Sequence, residues 1–92
     1  MDLGLLIHDL PHAVEVELHA KSPARLEAIL GAYRTKIWSG DLQAVLYVVD
    51  KSYVERLVKR HLERALIRDH AVVGPLDEII TRVRRHGGER TP

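Results

Sequence analysis

Cysteine is missing from all 92 residues, so neither disulfides nor thiolate metal sites can serve this chain. Such an absence suits a reducing compartment. No apolar run approaches the ~18 residues of a membrane-spanning helix. The opening MDLGLLIHDL lacks the basic start and long apolar stretch of a signal peptide. A cytoplasmic location with no membrane partner is therefore expected. There is no glycine-rich phosphate loop, no HExxH spacing and no arguable Ser/His/Asp set, which removes three common chemistries. Aromatics are few: Tyr33, Trp38, Tyr47 and Tyr53. Their regular placement on apolar faces predicts core packing rather than base stacking.

What is present is ordinary globular composition, 46% hydrophobic and 29% charged, in a chain short enough for one small domain. That domain is expected over residues 1–88, with a disordered tail at 89–92. The net charge of +1 conceals an asymmetry. Residues 1–20 hold four acids (Asp2, Asp9, Glu15, Glu17) and no Lys or Arg, whereas residues 51–68 hold six basic residues against Glu55 and Glu63. Separate acidic and basic surfaces are expected.

Residues 3–7 form a short apolar run suited to a strand, and His8 to His12, with Pro11, reads as a turn. From Ala13 to His19 the alternation is clean. Val14, Val16 and Leu18 face one way, and Glu15, Glu17 and His19 the other. Ser22-Pro23 is a strong helix start, serine capping free N–H groups and proline fitting the first helical position. Leu26, Ile29, Leu30, Tyr33 and Ile37 carry that helix to about Trp38, and Ser39-Gly40 stops it. Residues 42–49 are nearly all apolar and rich in β-branched residues, as in a strand covered on both faces. A second helix opens at Asp50-Lys51-Ser52, with the stripe Val54, Leu57, Val58, His61, Leu62 and Ala65. Residues 71–73 suit another strand. A last helix follows Gly74-Pro75, with Asp77 and Glu78 in its first turn, basic residues near its end and Gly87-Gly88 as its stop. The order is β-β-α-β-α-β-α, an open α/β sandwich of two or three layers whose strands 13–19 and 42–49 run parallel.

The sharpest chemical signal is Glu15 and Glu17. Period-2 alternation sets both carboxylates on one face, about 7 Å apart, where they can chelate a hard cation such as Mg²⁺. A metal so held orients water and stabilises phosphoryl charge. Lys21 lies just beyond, able to neutralise phosphate or activate water. The plain alternative is a half-exposed strand with a polar face. On the second helix, Arg56, Lys59, Arg60 and Arg64 share a face and could contact successive phosphates, or that face could simply be solvated. Among the histidines, His8, His12 and His19 could join Glu15 and Glu17 in a transition-metal site. His61 reads as a hydrogen-bonded core or interface group, and His70 and His86 as caps.

The run Glu15-Val16-Glu17-Leu18 with Lys21-Ser22, the Arg25-Leu26 helix ending near Tyr33, and the strand Val45 to Val49 resemble the replication-relaxation family across residues 12–67. Members of that family are associated with plasmid replication and transfer and are similar to PD-(D/E)XK nucleases in their core. The resemblance implies a truncated restriction-endonuclease-like core that is Mg²⁺-dependent and acts on DNA, or a remnant of one. It makes Glu15 the metal-binding acid and puts Glu17 where most such nucleases carry lysine. It also asks for an acid from a preceding hairpin, for which Asp9 is the candidate, so the metal set would be Asp9, Glu15 and Glu17. A non-catalytic, dimeric module binding nucleic acid or protein is the alternative. A homodimer is expected, because 92 residues cannot cover a whole sheet and segment 3–7 should lie at its edge.

Overall fold

The computed structural model describes residues 2–7 and 10–84. They form a four-stranded open sheet with three helices: β1 (Asp2–Ile7), β2 (Leu10–Glu17), α1 (Pro23–Trp38), β3 (Ala44–Val49), α2 (Ser52–Arg64), β4 (Ala71–Gly74) and α3 (Leu76–Val83). A short 3₁₀ turn, Arg68–His70, leads into β4. The order β1-β2-β3-β4 across the sheet follows the chain. β1 is antiparallel to β2, and β2, β3 and β4 are parallel, as strands joined through helices require.

Local chemistry explains the helix limits. The Ser22 hydroxyl accepts a hydrogen bond from the Arg25 backbone N–H at 3.3 Å, and Pro23 follows it. At the other end Gly40, with φ +87°, lets its N–H reach Ile37 O while Asp41 N–H reaches Lys36 O. That pairing closes the last turn. α2 ends the same way on Leu66, a non-glycine residue with φ 64°. β3 is buried along nearly its whole length because helices cover both of its faces.

Two layers of unequal size pack on the sheet. On one face Leu26, Leu30, Tyr33 and Ile37 of α1 and Val54, Val58 and Leu62 of α2 meet Ala13, Val45, Tyr47, Val49, Ala71 and Val73. On the other, Ile79 and Val83 of α3 meet Leu46 and Val48, with Ile7, Val14, Val16 and Val72 partly buried alongside. The sandwich thus has three layers.

Four expectations need correction. β2 begins at Leu10, so Leu10 to His12 belong to a strand rather than a turn. The Glu15/Glu17 side of β2 is the buried one, because α1 lies over it and the smaller α3 layer covers Val14 and Val16 only in part. Trp38 and Tyr53 are 62% and 51% exposed, not core, since α1 carries Trp38 in its last turn and α2 carries Tyr53 in its first. His61 is buried as expected, but its Nδ1 has no hydrogen-bond partner among the described residues. His8, Asp9, Arg85, His86, the Gly87-Gly88 stop and the 89–92 tail lie outside the described residues.

Candidate functional site

Glu15 and Glu17 stand on the face of β2 that α1 covers, at 4% and 3% exposure. Carboxylates so deep need partners, because desolvating an ion costs several kcal/mol. Each has one. The Tyr33 hydroxyl, from the middle of α1, donates to Glu15 Oε2. The Lys21 ammonium, just before α1, pairs with Glu17 Oε1. Glu17 Oε2 remains buried without a partner among the described residues.

Across the sheet, Tyr47 of β3 is in register with Glu15. Its hydroxyl is buried and likewise lacks a partner among the described residues. Burial pushes the Tyr47 phenol well above the ordinary tyrosine value, and Glu15 and then Glu17 push it further. Two acids, two phenols and one ammonium therefore meet beneath α1. On the hairpin side, the β1 position in register with Glu15 is Asp2.

The C-terminal end of β2 opens to solvent in a groove of about 480 Å³ lined by Glu17, His19, Lys21 and Arg25 among others. Ligands of open α/β sheets characteristically sit beyond the carboxyl ends of parallel strands. The Glu17–Lys21 pair is thus the accessible end of the buried cluster.

Of the residues singled out in the sequence, the structure brings Glu15, Glu17 and Lys21 together, while Asp9 lies outside the described residues. Among the described residues no three His, Cys, Asp or Glu are grouped to hold a metal ion. His12 Nδ1 lies 2.9 Å from Leu10 O, and His19 is exposed past the strand end. On α2, Arg56, Arg60 and Arg64 are exposed, whereas half-buried Lys59 is bridged to Glu55 at 2.9 Å. Sequence reasoning misses Tyr33, Tyr47 and Arg25 for this site. Tyr33 carried one usable signal, a hydroxyl in an apolar helix stripe facing an acid-bearing strand. The others depend on strand register. No protein-family model, curated protein or solved structure matches the chain.

Proposed function

We propose that the chain is a PD-(D/E)XK-like, Mg²⁺-dependent nuclease core acting on DNA in plasmid or mobile-element replication or transfer. The observation that carries this reading is the strand arrangement around Glu15. A hairpin places Asp2 opposite Glu15, and a parallel crossover follows directly through α1. Asp9, the sequence candidate for an acid from the hairpin, lies outside the described residues.

The donor set fits the metal: carboxylate oxygens suit Mg²⁺, and Glu17 Oε2 is a buried acceptor with no partner among the described residues. Glu15 and Glu17 would hold the ion, which when bound would polarise a phosphoryl oxygen and lower the pKa of water. Tyr33 orients Glu15 by donating to Oε2. Lys21, at the mouth of the groove, balances the charge of Glu17 and presents a cation to an incoming phosphate. The exposed arginines of α2 add a sequence-independent, salt-sensitive attraction for the backbone.

The test is incubation with single- and double-stranded DNA in Mg²⁺ or Mn²⁺. Cleavage should occur and be lost in Glu15→Gln and in Glu17→Gln with the circular dichroism spectrum intact. An inactive parent chain, or a Glu15→Gln chain that cuts as fast as the parent, rejects the reading.

A second reading rests on the partners the acids already hold. Glu15 is held by Tyr33 and Glu17 by Lys21, as in a nuclease-like fold kept for binding. DNA affinity without cleavage, falling steeply with salt and lost on reversing Arg56, Lys59 and Arg60, would favour it. Either reading accommodates a homodimer. β1 is one of the two outer strands, it carries no Lys, Arg or Pro to blunt its edge, and Leu5, Leu6 and Leu10 are exposed beside it. Antiparallel pairing of β1 with its copy gives a closed two-fold assembly. Light scattering near 10.5 kDa would exclude that assembly.

A further inference from the structure

Between α1 and α2 runs a groove of about 240 Å³. Glu27, Gly31 and Arg34 line it from α1, and His61, Arg64 and Ala65 from α2. Drug-sized ligands generally occupy pockets of about 300–1,000 Å³, so this one suits a smaller group. Its charge is lopsided. Two arginines face one glutamate, and no ion pair among the described residues engages any of the three.

His61 gives the second, independent sign. It is 4% exposed, and its Nδ1 is buried with no hydrogen-bond partner among the described residues. Leaving a buried polar group unpaired costs about 1–3 kcal/mol. The same ring lines the groove, so a ligand seated there lies against it. The space beside Gly31 is open, a Cβ added there meeting nothing within 4 Å.

Two features outside the groove identify the anion. Arg56 and Arg60 continue the row of Arg64 along α2 at one-turn intervals, all three exposed. Such a row suits a repeating polyanion rather than an isolated one. The Arg34 guanidinium sits 5.5 Å from the centroid of the Trp38 ring, which is itself 62% exposed. An exposed indole backed by a guanidinium is a stacking surface for an unpaired base.

We infer that this groove seats one phosphodiester of a single-stranded nucleic acid between Arg34, Arg64 and His61, with a neighbouring base on Trp38. The choice of nucleic acid as the source of the phosphate rests on the function proposed above. The site itself is separate from Glu15 and Glu17, and from any cleavage.

Because Trp38 is the single tryptophan, its fluorescence reports the base while the His61 ring resonances report the phosphate. The parent chain in EDTA, where no cleavage intervenes, is titrated with a short single-stranded oligonucleotide and separately with inorganic phosphate. The oligonucleotide should quench Trp38 and shift the His61 ring. The double variant Arg34→Gln/Arg64→Gln should bind at least tenfold more weakly. Gly31→Met should block binding, whereas Gly31→Ala should fold at least as stably as the parent chain, alanine being the better helix former. Oligonucleotide binding equal to the parent's in the arginine double variant overturns the inference, as does an unmoved His61 ring. A His61 shift with inorganic phosphate but no quenching by oligonucleotide also overturns it, by assigning the groove to a free anion. None of these outcomes depends on whether the Glu15 site cuts DNA.

Discussion

On one side of the sheet a 16-residue helix and a 13-residue helix lie over β2, β3 and β4; on the other a single eight-residue helix, α3, does the same work. Beneath the larger layer even glutamates are nearly inaccessible, while beneath the smaller one Val14 and Val16 stay partly exposed, as do Leu76 and Ile80 of α3 itself. Coverage by helices, rather than residue polarity, decided which face of β2 became interior. The glutamates tolerate that position because Tyr33 and Lys21 come with the covering segment. A buried charge stripped of its partner is strongly destabilising. The acid cluster and the main core are therefore one structural unit, and any chemistry at Glu17 takes place at the rim of that unit.

The contrast can be broken most directly by thinning the larger layer. Leu30→Ala, at a fully buried position of α1, should cost about 2–5 kcal/mol, read as a lowered urea midpoint. A loss below about 1 kcal/mol would mean that α1 is not the principal cover. Tyr33→Phe should come next, at about 1–3 kcal/mol, because it removes the hydroxyl that donates to a buried carboxylate. If stability were unchanged, Glu15 would not depend on that bond.

Tyr47→Phe probes the same unit with the opposite sign. Its hydroxyl is buried with no partner among the described residues, so deletion should be neutral or stabilising by up to about 1 kcal/mol near neutral pH. The pH dependence sharpens this. Burial first, then Glu15 and Glu17, raise the folded-state pKa above the ordinary 10.0. Protonated Tyr47 thus contributes stability that is complete below about pH 10 and declines above it, where the unfolded chain releases the proton and the folded chain does not. Replacing it with phenylalanine should flatten that alkaline decline in urea melts run between about pH 9 and 11. Identical pH profiles for the two chains would refute the assignment. The smallest effect belongs to the other face: Leu76→Ala should change stability by no more than about 0.5 kcal/mol. A larger loss, especially one that depends on protein concentration, would show that α3 is covered by a partner in solution.

Elements set by neighbouring residues were readable in advance. Ser22-Pro23 and Gly40 mark the ends of α1 because capping depends on groups within four residues. The alternation of β2 placed Glu15 and Glu17 side by side for the same local reason. Trp38 misled, because stripe spacing says which side of a helix a residue shares but not whether the helix end still overlies the sheet. Strand register is equally non-local: the position opposite Glu15 is Asp2, thirteen residues away, while Asp9 lies outside the described residues.

By itself the sequence determined the order of elements, the crossover through α1, the pairing of two acids on one strand face and the basic row on α2. Each follows from the period of a helix or a strand, which is a property of the backbone. Only the tertiary structure decided that the acid face lies under α1, that Tyr33 and Tyr47 meet Glu15 there, and that Arg34, His61 and Arg64 share a groove. Those relations join residues far apart in the chain. They depend on which helix packs on which side of the sheet and on strand register, and no local pattern encodes either.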